Sequence, residues 1–213
     1  MIEELLDAIH GGTAPRLVVD LGCATGEFTG LLASQLSGSP VIGYDLAETA
    51  IMRARQRFSA VQFRPGSFAE AAADHSCVVD LVSCLEVLYY VPHPQRAMAV
   101  DAIRALLRPD GVVLASSMIG GSPYIDGDGL AALFSTGFRI IHSGSLSLWP
   151  LTVMEKWRMK LGAPRAARNV SDYVPGGRGF HMLERAEGLL RRLLGRRADS
   201  HVFIIARRVE EQV

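Results

Sequence analysis

The chain has 213 residues, almost half of them hydrophobic, and its 22 basic residues balance 22 acidic ones. This length suits one domain with its own core, and the zero net charge excludes a protein that binds nucleic acid or membrane through its overall charge. No apolar run reaches the roughly 20 residues that span a bilayer. The acidic start lacks the basic region of a signal peptide, and the three cysteines have no metal-ligand spacing, so we expect a cytoplasmic protein with reduced thiols.

A strand, a glycine turn and a helix follow each other near the start of the chain. The apolar run over residues 16–21 predicts a buried strand, Gly22 and Gly26 bracket a turn, and residues 27–35 have helical spacing. Such a unit places unpaired backbone N–H groups beside a crevice, and Gly22 has no Cβ to keep a ligand away. The pattern predicts a ligand-binding loop, although glycines also end strands for purely structural reasons.

Strands and helices then alternate along the chain. Further strands are predicted over residues 41–44, 60–64, 77–84 and 112–116. Helices are predicted over residues 48–58, over 68–74 with Ser67 as the cap, and from Pro94 to Leu107, with a turn over residues 108–111. This alternation predicts an α/β fold, a doubly wound and mostly parallel sheet with helices on both faces.

The second half of the chain departs from this rhythm. Residues 127–134 have helical spacing, and residues 138–145 and 201–207 have the composition of strands, which brings the sheet to seven. Between the last two strands, residues 150–199 carry two apolar stripes at helical spacing and a loop rich in Gly, Pro, Ala and Arg. We expect one domain over residues 1–213, with residues 150–199 as a helical insertion.

Two acids end neighbouring predicted strands. Asp20 closes the first strand and Asp45 the second, 19 residues after Gly26. In a doubly wound sheet both are expected to point into the crevice, where Asp45 can accept hydrogen bonds from a ribose diol. Dinucleotide-binding proteins use the same arrangement, but this loop lacks the Gly-x-Gly-x-x-Gly spacing that a pyrophosphate favours. A nicotinamide-dependent oxidoreductase is therefore disfavoured.

Four segments, in order, resemble the class I S-adenosylmethionine-dependent methyltransferases. They are Val18-Val-Asp-Leu-Gly-Cys-Ala-Thr-Gly26, Val41-Ile-Gly-Tyr-Asp45, the stretch from Asp80 to Pro92, and Leu107-Arg-Pro-Asp-Gly-Val-Val-Leu114. The match runs from roughly Arg16 to Ser117, about half of the chain. Glu86-Val-Leu-Tyr-Tyr-Val91 is similar to the Nod-factor N-methyltransferase branch. The family also inserts its last, antiparallel strand beside strand five, which suits residues 201–207.

The resemblance implies S-adenosylmethionine as the cofactor, S-adenosylhomocysteine as the product, and a role for each matched residue. The methionine portion would lie on Gly22, Cys23, Ala24 and Gly26, although Cys23 also reads as an ordinary small apolar residue. Asp20 would support the ammonium group, directly or through water, beside the backbone of Cys84 and Leu85. Asp45 would hold the ribose, and the adenine would lie against Leu46, Gly66, Ser67 and Phe68.

The segment after strand four differs from the family pattern. Many O-methylating relatives have a histidine, which can act as a base, where this chain has Tyr90, and a phenol is a poor base at neutral pH. The Asn-Pro-Pro-Tyr signature of adenine and glutamine methylation is absent. We therefore expect methylation of an amino group on a small molecule, with a hydroxyl as the second choice. Candidate catalytic residues are Glu86, Tyr89, Tyr90 and His181. A non-catalytic cofactor-binding protein that docks to a partner is the alternative.

The insertion has a lopsided charge. The segment from Lys156 to Arg197 contains eleven basic and three acidic residues, so its formal net charge is +8. Few residues precede the first strand, so we expect the insertion to act as the substrate lid. Arg165, Arg168 and Arg178 on its loop are predicted to contact a phosphate or carboxylate of the substrate, since the planar guanidinium suits such groups. A solvated arginine face explains the same residues without a ligand.

Overall fold

The computed structural model describes residues 14–36, 38–146 and 199–210. The chain divides into two compact units, one of residues 1–144 with 203–213 and one of residues 145–202. In the second unit, the Ser145 hydroxyl donates to Asp199 Oδ2 at 2.6 Å. The helix that the sequence favours over residues 3–9, before Gly11 and Gly12, lies outside the described residues. The predicted insertion lies outside them too, except for Asp199.

Seven strands form one sheet in the order β3-β2-β1-β4-β5-β7-β6. The predicted seven-stranded fold is confirmed. The strands are β1 (Val18–Leu21), β2 (Val41–Asp45), β3 (Gln62–Pro65), β4 (Val79–Leu85), β5 (Leu107–Met118), β6 (Phe138–Leu146) and β7 (His201–Arg208).

Five α-helices lie between the strands of the described chain. They are α1 (Glu27–Gln35), α2 (Glu48–Arg57), α3 (Phe68–Asp74), α4 (Arg96–Leu106) and α5 (Gly127–Leu133). Two short 3₁₀ helices, Leu88–Tyr90 and His93–Gln95, connect β4 to α4. Helix α4 therefore begins two residues later than the predicted start at Pro94, because Pro94 lies in the second 3₁₀ helix.

The direction of the chain across the sheet reverses beside β1. Strands β1, β2 and β3 are parallel neighbours on one side, and β4 pairs in parallel with the other side of β1, with Val18 opposite both Val41 and Leu81. Right-handed crossovers then place α1 and α2 on one face of the sheet and α4 on the other. Ligands of such sheets bind at the reversal point, beyond the carboxyl ends of the strands.

The central strands form the core. Every residue of β1 is buried, as are the first six of β4, as expected for parallel strands covered on both faces. On α4 the buried residues Ala99, Val100, Ile103 and Leu106 recur at helical spacing. This packing holds the carboxyl ends of β1, β2 and β4 in fixed positions.

The predicted turn over residues 108–111 is wrong as a separate element. These residues belong to β5, where Leu107 pairs with Val79 and Val112 with Leu81, so the strand carries a bulge there. Asp110 adopts the left-handed conformation with φ of 63°. Residues that favour turns also suit a bulge, since both need an interruption of the regular ladder.

Candidate active site

A crevice of about 480 Å³ opens at the carboxyl ends of β1, β2 and β4. Its volume falls within the range of sites for cofactors and drug-sized ligands. The lining residues come from the last residues of these strands and from the segments that follow β1, β2, β3 and β4: Leu21, Gly22, Ala24, Tyr44, Asp45, Leu46, Gly66, Ser67, Phe68, Leu85, Glu86, Val87, Tyr89 and Tyr90. Eleven of these fourteen are residues that the sequence assigned to the site.

Gly22 allows the loop after β1 to pass close to the loop after β4. Its φ is +73°, and a Cβ there would lie 2.2 Å from Cγ2 of Val87. Its N–H donates to the Tyr44 carbonyl at 2.7 Å. Both the backbone angle and the lack of space require glycine at this position.

Ala24 has an unusual conformation for a residue with a side chain. Its φ is 48°, in the left-handed region that glycine adopts without strain. Its N–H donates to Asp45 Oδ2 at 2.9 Å. The bond from β2 thus helps to hold Ala24 in this conformation.

Asp45, which the sequence predicted to hold the ribose, lines the crevice at the end of β2. Besides Ala24, its carboxylate accepts the N–H of Ala47, at 2.8 Å through Oδ1. Each carboxylate oxygen has a second lone pair, so the group can still accept from two hydroxyls of a ligand. Leu46 beside it is 75% exposed and lines the crevice, so its side chain is available to an adenine.

Asp20 differs from the prediction that it points into the crevice. Its carboxylate is buried and accepts the hydroxyls of Thr29, at 2.6 Å, and Ser83, at 2.7 Å. Burial raises the pKa of Asp20 to about 6, although these two hydrogen bonds act in the opposite direction. The side chain links β1 to α1 and β4 beneath the crevice and is not part of its lining.

Three other predicted cofactor residues also support the crevice without lining it. Cys23 packs in an apolar cluster with Ile51, Ala54 and Phe63, as its alternative interpretation as a small apolar residue predicts. Gly26 precedes α1 with φ of +85°. Cys84 is fully buried, and burial raises the pKa of its thiol.

The start of α3, which the sequence predicted to lie against the adenine, lines the crevice. The Ser67 hydroxyl accepts the N–H of Glu70 at 3.3 Å and donates to its carboxylate at 2.7 Å, and the Ser67 N–H donates to the same oxygen. This capping box confirms Ser67 as the helix cap. The Ser67 oxygen keeps one lone pair for a ligand, so it is a weak acceptor.

Glu86 lines the crevice directly after β4. It adopts φ of 61°, and its N–H donates to the Ser116 carbonyl at 3.2 Å. The Ser116 hydroxyl donates to Glu86 Oε1 at 2.5 Å. Two hydrogen bonds to one residue of β5 therefore fix the backbone and the carboxylate of Glu86.

Tyr89 and Tyr90 differ in their surroundings. Tyr89 is buried and lies between two other rings, with centroids 4.6 Å from Tyr90 and 5.1 Å from Tyr124. Burial raises the pKa of Tyr89, so this phenol stays protonated at neutral pH. Tyr90 is 77% exposed. The sequence analysis missed Tyr124, which lies far along the chain after β5 and has no local motif.

The remaining predicted residues cannot be placed. His181, Arg165, Arg168 and Arg178 lie outside the described residues. Among the residues that the structure does describe, no cluster of His, Cys, Asp and Glu could hold a metal ion. No helix in this part of the chain is long and apolar enough to span a membrane.

Comparison with known proteins agrees with this geometry. Residues 19–113 match a family model described as a methyltransferase domain. Over 113 residues the chain is 35% identical to a ubiquinone biosynthesis O-methyltransferase of Aromatoleum aromaticum. This alignment covers 51% of the chain and 47% of the relative, so the chain spans about half the length of that relative.

Solved structures share the fold at low sequence identity. The N-methyltransferase NodS of Bradyrhizobium japonicum, in complex with S-adenosylhomocysteine, has a TM-score of 0.63 at 16% identity, with coverage of 98% of this chain and 85% of that one. The [4+2]-cyclase SpnF has a TM-score of 0.64 at 16% identity, with coverage of 99% and 81%.

The chain shares the fold of the class I S-adenosylmethionine-dependent methyltransferases. The resemblance predicted from the sequence is confirmed, because residues 19–113 match the model of a methyltransferase domain. S-adenosylmethionine is the cofactor of this class, and the crevice offers what it needs, namely an acidic acceptor at Asp45, close backbone at Gly22 and apolar walls.

Proposed function

We propose that this protein transfers a methyl group from S-adenosylmethionine to a hydroxyl oxygen of a small molecule. The observation that carries the proposal is that two carboxylates, Asp45 and Glu86, line one crevice. The cofactor supplies an activated methyl group, so the protein has to bind, orient and exclude water.

Glu86 is suited to the acceptor. A hydroxyl must lose its proton as it is methylated, and an oriented carboxylate beside it can accept that proton. Ser116 holds Glu86 Oε1, which keeps the carboxylate in one rotamer. We assign Glu86 the role of base, and Tyr90 that of a hydrogen-bonding group for the acceptor. Tyr89 forms the wall behind it.

The proposed acceptor atom, an oxygen, differs from the amino group that we expected from the sequence. The curated relative that is 35% identical over 113 residues is named an O-methyltransferase. Amine methylation is the second candidate, because an uncharged amine needs no base and the fold neighbour NodS is an N-methyltransferase.

A panel of matched acceptors tests the proposal. Each hydroxyl compound is paired with the amine of the same skeleton, and release of S-adenosylhomocysteine is measured. We expect turnover with hydroxyl acceptors. Turnover with the amines alone would favour the second candidate, and binding of the cofactor without turnover on any acceptor would favour a non-methylating protein, as the fold neighbour named a [4+2]-cyclase illustrates.

The proposal also gives a role to the insertion over residues 150–199, that of a lid over an anionic acceptor. Its support is the excess of basic residues in the sequence. If Arg165, Arg168 and Arg178 contact the acceptor, their joint replacement with Gln raises the KM for the acceptor and leaves the affinity for S-adenosylhomocysteine unchanged. An unchanged KM would leave the insertion as a structural cover.

A further inference from the structure

A second cavity, of about 450 Å³, lies next to the crevice and has the guanidinium of Arg96 in its wall. Tyr124 lines this cavity and Tyr89 lines the crevice, and the two rings meet edge to face at 5.1 Å. The two sites thus share a tyrosine wall. The other residues of the second cavity are His93, Arg96, Gly120, Ile125, Asp126, Gly129, Ala132 and Leu133.

Arg96 is the charged residue that marks this cavity. It is only 8% exposed, and its Nε and Nη2 donate to the carbonyls of Val91, Tyr89 and Pro123 at 3.1, 3.3 and 2.7 Å. None of the described residues accepts from its Nη1 or forms an ion pair with it. A buried guanidinium bound to neutral carbonyls keeps its full positive charge.

The surroundings reinforce this charge. Arg96 is the first residue of the eleven-residue helix α4, so its charge adds to the positive end of the helix dipole instead of offsetting it. His93 lines the same cavity. The opposing group is Asp126, which is exposed and uses Oδ1 to accept the N–H of Gly129 at 2.8 Å.

We propose that the second cavity binds an anionic group of the methyl acceptor, a carboxylate or a phosphate, on the guanidinium of Arg96. This inference rests on the proposed function, since it names the acceptor's chemistry. An acceptor that reaches across the tyrosine wall places its anion at Arg96 and its reacting atom beside Glu86. The planar guanidinium suits either oxyanion, and an aromatic ring in the acceptor would lie against Tyr124.

The binding test needs no turnover. The full chain, saturated with S-adenosylhomocysteine and labelled with ¹⁵N-arginine, is titrated with benzoate, phenyl phosphate and the neutral benzamide. We expect the anions to bind about tenfold more tightly than benzamide and to shift the Nε signal of Arg96. The tighter of the two anions identifies the acceptor's group. Equal affinities for benzoate and benzamide, or an unmoved Arg96 signal, would overturn the proposal.

Two variants are expected to change the affinity for anions in opposite directions. Arg96→Gln is expected to remove the preference for anions, while Arg53→Gln, an exposed arginine on α2, leaves it unchanged. Because Arg96 also holds three carbonyls, its variant can fail to fold. Asp126→Asn tests the site even if Arg96→Gln does not fold. Asparagine still caps α5, and the substitution removes the negative charge that opposes Arg96. Benzoate should then bind about threefold more tightly, and an unchanged affinity contradicts the site.

The two proposals fail separately. If the anions bind at Arg96 but no acceptor yields S-adenosylhomocysteine, the anion site stands and the proposed methyl transfer is wrong. If neutral acceptors are methylated as well as their carboxylated or phosphorylated counterparts, the methyl transfer stands and the anion site is wrong.

Discussion

Asp45 accepts the N–H of Ala24 at 2.9 Å, so the carboxylate proposed to bind the cofactor's ribose also holds the glycine loop. The same carboxylate accepts the N–H of Ala47. One side chain at the end of β2 therefore connects the loop after β1 with the segment that leads into α2. Its removal should affect both the shape of the crevice and the binding of a ligand.

Asp45→Ala is expected to weaken S-adenosylhomocysteine binding. The loss of two charge-assisted hydrogen bonds from ribose hydroxyls costs about 2–3 kcal/mol, which is about 30- to 150-fold in the dissociation constant. Isothermal titration calorimetry is the measurement. Asp101→Ala, an exposed acid on α4, serves as the control and should bind normally. An unchanged constant in a folded Asp45→Ala protein would rule out the ribose assignment.

Gly22→Ala is expected to lower the free energy of unfolding by about 2–4 kcal/mol, because the new Cβ meets Val87 and the backbone is left-handed. The Val87→Ala background separates these causes. Removal of the valine methyl groups should recover the steric part of the loss and leave about 1 kcal/mol of backbone strain.

Urea denaturation of the four proteins in this double-mutant cycle gives the coupling energy. If Gly22→Ala lowers the free energy of unfolding equally in both backgrounds, a clash with Val87 is not the reason why this position needs glycine.

Ala24→Gly is expected to stabilise the protein. Relief of the left-handed strain gives about 1–2 kcal/mol, and the greater freedom of glycine in the unfolded chain offsets about 0.5–1 kcal/mol of it. The melting temperature should rise. Ala33→Gly, within α1, is the contrasting control and should lower the melting temperature, because glycine in a helix costs up to about 1 kcal/mol of stability relative to alanine. A fall in both variants would mean that Ala24 is unstrained.

The raised pKa of Asp20 predicts that the stability of the protein depends on pH. The pKa is raised in the folded protein to about 6 from 3.8, so the folded state holds the proton more tightly than the unfolded state. The stabilisation from Asp20 is therefore complete below about pH 4 and is lost as the pH rises through about 6.

Asp20→Asn removes this dependence and can keep a hydrogen bond to both Thr29 and Ser83. We expect the variant to become more stable relative to the wild type by about 2–3 kcal/mol between pH 4 and 7. Urea unfolding at several pH values is the measurement. Parallel pH profiles of the two proteins would show that Asp20 titrates normally.

The residues at the starts of α1 and α3 made their bounds predictable. Gly26 and Ser67 mark where those helices begin, and both helices have the predicted residues. The cofactor loop was also predictable, since strand, glycine turn and helix are consecutive in sequence. These features depend on local sequence alone.

Other parts of the site depend on contacts between distant residues. Asp20 was expected in the crevice because it is near the end of its strand, but the hydroxyls of Thr29 and Ser83 hold it beneath. Tyr124 and Arg96 become part of a site only when the loops after β4 and β5 meet. No local pattern in the sequence marks either residue.

Glu86→Gln is expected to lower kcat about 100-fold, the typical contribution of a general base, with an unchanged dissociation constant for S-adenosylhomocysteine. The amide still accepts the Ser116 hydroxyl, so the loop keeps its shape. A loss of cofactor affinity of similar size would show that Glu86 holds the loop or the cofactor. It would then not act on the acceptor.

The central claim is that this crevice methylates a hydroxyl oxygen, and the position of a transferred isotopic label tests it most directly. The wild-type protein is incubated with methyl-labelled S-adenosylmethionine and the matched hydroxyl and amine acceptors, and the products are analysed by mass spectrometry. We predict label on oxygen, in amounts equal to the S-adenosylhomocysteine released. Label on nitrogen alone, or a protein that binds the cofactor and labels no acceptor, would contradict the claim.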